Sequence, residues 1–239
     1  MLVQAVLFDV DDTLVNLAGA QHVAFRQQLT TQFGDRVSSH PAMAVAAAAF
    51  VHDPKDYYNS YINGHISFGE QRLARVLDAM EILELDGEPD EELWVLGYED
   101  IVSRHWKPFD DVPPLLERLD QLGIAYGAAT NNVTDYQAYK LEQAGLPFDV
   151  VIGTDITGKP KPHASMFLEG ARQLGSDPEA TLMIGDDVIN DGVGARDAGL
   201  ISVLVDRDNS REHPDRVYKL GSLSDVLHIR SLHFDNNKN

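Results

Sequence analysis

Cysteine is absent from this chain, which removes disulfides, thiolate metal sites and a cysteine nucleophile together. Basic residues are scarce: 19 Lys plus Arg stand against 38 Asp plus Glu, a formal net charge of −19. A field of that sign repels nucleic-acid polymers and anionic membranes, so neither is an expected partner. An anionic substrate would need local positive charge from a metal or from a few placed lysines. No apolar run approaches the roughly 20 residues of a membrane span. The alanine-rich MAVAAAAF at 43–50 is far shorter and reads as a tightly packed helix of small residues. The opening MLVQAVLFDV lacks a basic n-region and runs straight into an apolar stretch ending in an acid, which is the pattern of a strand and not of a signal peptide. The expected compartment is the cytoplasm. No His-x-His or His-Glu-x-x-His pattern offers a zinc site.

What is present is a chain of 239 residues, ample for a buried core. Short β-branched apolar runs recur at 2–8, 124–129, 150–153, 181–184 and 201–205, with helical patterns between them. That alternation predicts an α/β fold, a Rossmann-like parallel sheet with helices on both faces. Between the first two strands lies an excursion far longer than the dozen or so residues a crossover needs. Its helical patterns at 18–33, 42–52, 68–83 and 91–106 predict an inserted α-helical cap over 16–106. The core is then discontinuous, 1–15 with 107–230, and the polar stretch 231–239 reads as a frayed tail. The acidic run at 84–92 lacks the alternating ligands of a calcium loop and reads as solvated surface.

Chemistry is concentrated after the strands, where ligands gather in open parallel sheets. VLFDVDDTL puts Asp9, Asp11, Asp12 and Thr13 just past the first strand, and LMIGDDVIND puts Asp186, Asp187 and Asp191 past a later one. Asp and Thr also suit Asx turns and helix caps. Two carboxylates about 4 Å apart nevertheless repel by roughly 1 kcal/mol in water, and by more when partly buried. If the two strands are neighbours, Asp9 and Asp186 meet, and hard oxygen donors with few protein ligands describe a magnesium site. Between them in sequence come Thr130, Asn131 and Asn132, then GKPKP with Lys159 and Lys161 on a proline-stiffened loop.

These stretches, in this order, resemble the haloacid dehalogenase superfamily. Its Asp-x-Asp-x-Thr motif is matched by Asp9, Asp11 and Thr13, and its Ser or Thr after the next core strand by Thr130. Its lysine with a phenylalanine six residues on is matched by Lys161 and Phe167, and its Gly-Asp with a further Asp by Gly185, Asp186 and Asp191. The long insert resembles the branch with a helical cap between the first and second motifs. The DDTL variant, in place of the commoner DGTL, looks like phosphatases of nucleoside monophosphates or sugar-acid phosphates.

The resemblance implies a magnesium-dependent phosphatase acting on a small phosphorylated metabolite. Asp9 would be the nucleophile that becomes an aspartyl-phosphate, and Asp11 the general acid and base. Thr130, Asn131 and Lys161 would bind the phosphoryl group. The metal would sit on Asp9, Asp186 and the Asp11 backbone carbonyl, with Asp187 and Asp191 supporting. A phosphomutase of the same fold or a non-catalytic phosphate-binding protein are the alternatives, whereas dehalogenating relatives carry an aromatic residue where this chain has Asp11. Within the insert, His65, Arg72, Arg75, Tyr57, Tyr58 and Tyr61 are candidates for touching the leaving group, although tyrosines at helical spacing more often pack.

Overall fold

The computed structural model describes residues 2–212, 214–230 and 232–234. The opening apolar run forms two strands instead of one, β1 (Leu2–Val3) and β2 (Ala5–Phe8). The chain changes partners at Gln4, whose backbone N–H donates to the Ala180 carbonyl at 2.8 Å. All four residues of β2 are buried because both faces of the strand are covered. Alternation sends Ala5 and Leu7 into a cluster with Phe167, Leu174, Met183, Ala195 and Leu200. Phe8 meets the edge of Phe148 with ring centroids 6.1 Å apart.

Residues Met1–Asn16 and Lys107–Asn239 make one compact unit, and Leu17–Trp106 makes a second. The second unit is helical: α1 (Leu17–Phe33), α2 (Met43–His52), α3 (Tyr57–Ile62), α4 (Phe68–Ile82) and α5 (Tyr98–Ser103), the last entered through a wider helical turn at Glu92–Gly97. Helix α4 starts on a reciprocal cap, with Ser67 and Glu70 each bonding the other's backbone N–H. The alanine-rich α2 buries Ala46 and Ala47 along with Met43 and Phe50. Phe50 stacks on Phe25 at 4.8 Å and lies beside Trp94 and Tyr98.

Both arginines suggested for the leaving group are used inside this unit. Arg75 is buried and donates through Nε to the Phe50 carbonyl at 2.7 Å. Arg72 pairs with Glu99 and lies over the rings of Phe68 and Tyr98. Tyr58, Tyr61 and Phe68 form a ring-packed row. Both guanidinium groups thus have hydrogen-bond and ring partners within the helical unit.

The chain leaves the first unit and returns to it side by side, with Asn16 N–H donating to the Lys107 carbonyl and Phe109 N–H to that of Leu14. Then follow α6 (Val112–Leu122), β3 (Ala125–Ala129), α7 (Thr134–Gln143), β4 (Val151–Ile152), α8 (Thr154–Thr157), α9 (Ala164–Gln173), β5 (Thr181–Gly185), α10 (Gly194–Asp197), β6 (Ile201–Val205), β7 (Tyr218–Leu220) and β8 (His233–Phe234). The main sheet has the order β4-β3-β2-β5-β6-β7, and every pairing is parallel. The fold is therefore α/β. Strand order reverses at β2 and β5, and at such a switch point the loops diverge and open a crevice at the carboxyl ends of the strands. The 231–239 stretch is not frayed throughout. Leu232 is buried, and β8 pairs in parallel with β1, while residues 231 and 235–239 lie outside the described ones. Among the described residues no helix is long and apolar enough to cross a membrane.

Candidate active site

Register delivers the first carboxylate. Phe8 pairs with both Ala128 and Ile184, so Asp9, Thr130 and Asp186 emerge together at the carboxyl end of three adjacent strands. The Asp9 N–H still donates to the Ile184 carbonyl at 2.8 Å, which fixes the nucleophile candidate to the sheet. Beyond it the loop turns through Asp12 at φ 60°. That left-handed conformation favours glycine, and aspartate is among the few side chains that tolerate it. The Asp12 variant is thus compatible with the same turn that a glycine would make.

Lys161 is the lysine brought to the site. Its ammonium is buried and donates to Asp9 Oδ1 at 2.5 Å and to Asp191 Oδ1 at 2.7 Å. Lys159 instead lies exposed beside His163. Asn131 acts on the backbone of that loop: its Oδ1 accepts from the Lys161 N–H at 2.6 Å, and its Nδ2 donates to the Lys161 carbonyl at 3.0 Å. Asn131 therefore holds the lysine's backbone through both its N–H and its carbonyl.

Asp191 belongs to the cluster, since Asp9, Asp186 and Asp191 each offer an oxygen within 4.8 Å of the others. Gly185 makes room for it, because a Cβ there would lie 2.2 Å from the Asp191 carboxylate. Asp187 turns the other way. Its carboxylate accepts from the Ile189 and Asn190 N–H groups and caps the helical turn Val188–Val193, while its own N–H donates to Asp191 Oδ2 at 3.0 Å and so supports the cluster through the backbone. Thr13 donates to Asp186 Oδ1 at 3.3 Å.

Charge is unbalanced here. Burial pushes the Asp9 carboxyl well above its ordinary value; Lys161 opposes this, while Asp191 and Asp186 add to it. Burial and Asp191 push Asp186 up to about 7, partly offset by Arg211. Burial would lower Lys161, but Asp191 and Asp9 outweigh it and hold the ammonium charged. Three crowded carboxylates with one shared ammonium form a hard-oxygen donor set of excess negative charge, which fits a divalent cation such as magnesium.

The family model of haloacid dehalogenase-like hydrolases matches residues 3–199. The chain belongs to that family. A relative, the glyceraldehyde 3-phosphate phosphatase of Methanopyrus kandleri, is 28% identical over 90% of this chain and 89% of its own. The N-acetylmuramic acid 6-phosphate phosphatase of Pseudomonas aeruginosa is 27% identical over 86% and 82%. Among solved structures, the magnesium-bound haloacid dehalogenase-type hydrolase YfnB of Bacillus subtilis has a TM-score of 0.77 at 23% identity, covering 96% of this chain and 99% of that one. The L-2-haloacid dehalogenase of Xanthobacter autotrophicus has a TM-score of 0.70 at 18% identity, over 94% and 96%. Both share the fold.

Three residues of this family member escaped the sequence reading. From α7, Lys140 Nζ donates to Asp11 Oδ1 at 2.5 Å and Gln137 Nε2 to Asp11 Oδ2 at 2.7 Å. From the loop after β6, Arg211 pairs with Asp186 Oδ2 at 2.8 Å. A lysine three positions after a glutamine on a helix carries no signal of its own, since both residues are ordinary on a solvated face.

Proposed function

We propose that this chain is a magnesium-dependent phosphomonoester hydrolase acting on a small phosphorylated metabolite of the sugar-phosphate class, through an aspartyl-phosphate on Asp9. The observation that carries the reading is Asp9 at the switch point, bound to a buried lysine and followed two residues later by a second carboxylate held in place. An ester of a phosphate needs all three: a nucleophile, a fixed cation for the oxygens that gather charge, and a proton source for the leaving alkoxide. The phosphatase names of the relatives support the same class.

In this reading Asp9 attacks phosphorus, and the bond from phosphorus to the ester oxygen breaks. Asp11 gives its proton to the departing alkoxide. It then takes a proton from the water that attacks the aspartyl-phosphate, which releases inorganic phosphate and restores Asp9. Lys161, in contact with Asp9, binds the phosphoryl oxygens as charge spreads over them, and Thr130 adds a hydroxyl donor. Asp191 keeps Lys161 charged and aimed. Asp9, Asp186 and the Asp11 backbone carbonyl would hold the magnesium ion, with Asp191 beside them; when bound, it neutralises phosphate charge that the carboxylates would otherwise repel. The helical unit Leu17–Trp106 is assigned the part of the cap that selects the leaving group.

The test is phosphate release from 4-nitrophenyl phosphate, with magnesium and with EDTA, by wild type and Asp9→Asn. Metal-dependent release that disappears in a folded Asp9→Asn protein is the expected result, followed by screening of glyceraldehyde 3-phosphate and N-acetylmuramic acid 6-phosphate. Near-normal release by Asp9→Asn would remove Asp9 as nucleophile.

A further inference from the structure

Helix α7 starts four residues after Thr130 and turns two buried polar side chains toward the same end of the sheet. Lys140 is 1% exposed and Gln137 0%. Together they take both oxygens of Asp11, Lys140 at Oδ1 and Gln137 at Oδ2. Gln137 Nε2 also reaches Thr130 Oγ1 at 3.2 Å, where the Asn132 N–H arrives at 3.2 Å. A threonine hydroxyl has two acceptor positions and one hydrogen. With both acceptor positions taken, its hydrogen is directed elsewhere.

Neither side chain is an economical filler. A buried ammonium is costlier to desolvate than an apolar chain of similar length, and apolar replacements of buried ion pairs are often neutral or stabilising. The Oε1 of Gln137 is buried with no hydrogen-bond partner among the described residues, a penalty that packing alone does not explain. The amide is placed for what its donor end does.

Resting on the reading of Asp11 as acid and base, we propose that Lys140 and Gln137 are positioning residues for proton transfer. They exchange no proton themselves. They fix the Asp11 carboxyl in one orientation, so that its proton passes to the leaving oxygen in the first step and is recovered from water in the second. Gln137 in addition sets Thr130 as a donor to the phosphoryl group. Both effects reach the reacting atoms from one rigid helix.

The test compares kcat/KM for phenyl phosphate and 4-nitrophenyl phosphate, with magnesium, across wild type and four variants. These are Lys140→Met, Gln137→Met, Asp11→Asn and the double variant Asp11→Asn with Lys140→Met, each checked for folding by circular dichroism. This ratio reports events up to departure of the phenol. 4-Nitrophenolate leaves readily without a proton, and phenolate gains far more from one. General acid catalysis contributes about 10²–10⁴-fold. Each methionine variant is therefore expected to lose on the order of tenfold to 100-fold with phenyl phosphate, and several-fold less with the nitrophenyl ester.

In the Asp11→Asn background, Lys140→Met should cost almost nothing further, because it acts through a carboxyl already removed. Equal losses on both esters, undiminished rates in both methionine variants, or the same Lys140→Met loss with and without the Asp11 carboxyl would each overturn the inference while leaving the phosphatase reading intact. Full activity of Asp11→Asn on phenyl phosphate would instead overturn the acid/base reading, and the inference with it. If Lys140→Met does not fold, the Gln137→Met comparison decides.

Discussion

Replacing Asp186 by asparagine interrogates the electrostatics of the site without requiring turnover. In the metal-free protein, Asp9, Asp186 and Asp191 bring oxygens within 4.8 Å of one another. At an effective dielectric constant near 20, two unit charges at that distance repel by about 3 kcal/mol. Lys161 bonds Asp9 and Asp191, so Asp186 relies on Arg211, at 2.8 Å with a side chain 35% exposed. That attraction is screened by solvent and gives back only part of the repulsion. Neutralising Asp186 while keeping its shape should therefore stabilise the metal-free protein by about 1–4 kcal/mol, or roughly 2–4 °C in Tm for each kcal/mol in a chain of this size.

The sign with pH follows from the direction of the shift. Burial and Asp191 raise Asp186 from 3.8 to about 7. The folded wild type therefore carries the full penalty only above about pH 7, and sheds it as the carboxyl protonates between there and about pH 4. Melting in EDTA should show the asparagine variant above wild type at pH 8, with the gap narrowing at pH 5. Adding magnesium should raise the wild type, because a ligand of the folded state stabilises it in proportion to RT ln(1 + [L]/Kd). The variant should respond weakly. A variant that melts below wild type in EDTA at pH 8, or that gains as much from magnesium as wild type does, would refute the account of Asp186 as a crowded carboxylate waiting for a cation.

Gly185→Ala places a Cβ 2.2 Å from the Asp191 carboxylate, so Asp191 must move and Lys161 loses its second partner. A stability loss of about 1–3 kcal/mol, with at least a tenfold fall in kcat, is expected from melting and steady-state assays, and normal values for both would contradict the close approach. Asn131→Ala removes both hydrogen bonds that hold the Lys161 backbone; kcat/KM should fall about tenfold or more and stability by roughly 1–3 kcal/mol, whereas unchanged kinetics would place the loop's order elsewhere. Arg75→Met strips the donors from the Phe50 carbonyl inside the helical unit, costing about 1–3 kcal/mol by melting with KM unaltered. A raised KM at unchanged melting temperature would return Arg75 to the substrate.

Residues that act through the backbone pattern around them were legible from sequence, and those that act through distant approach were not. Asp9 and Asp186 each follow an apolar run, and parallel register alone brings two such positions together. The alanine run at 43–50 announced its own packing by the smallness of its side chains. By contrast, β1 and β2 read as one strand because nothing in an apolar run marks where it changes partner, and β7, half-buried over three residues, carries too little pattern to see. Asp186 and Asp187 are chemically identical neighbours. Asp187 precedes the helical turn Val188–Val193 and answers its free N–H groups, which leaves Asp186 for the cluster; the local rule for helix starts separates the two.

In a chain of net charge −19, positive charge at the carboxyl ends of the strands is a matter of placement. Of 19 basic residues, Lys161, Lys140 and Arg211 each pair with a different carboxylate at the switch point, Asp9, Asp11 and Asp186. The loop of Lys161, between α8 and α9, was readable from its prolines, and the phenylalanine six residues on, at Phe167, singled out Lys161 from Lys159 through the family resemblance. Lys140 and Arg211 were not, since a helix lysine and a loop arginine are ordinary surface residues until the sheet order brings α7 and the loop after β6 against those acids. Positive charge held this close to Asp9 is local by construction. Solvent screens it little at Lys161 and Lys140, whose side chains are buried, and more at the partly exposed Arg211.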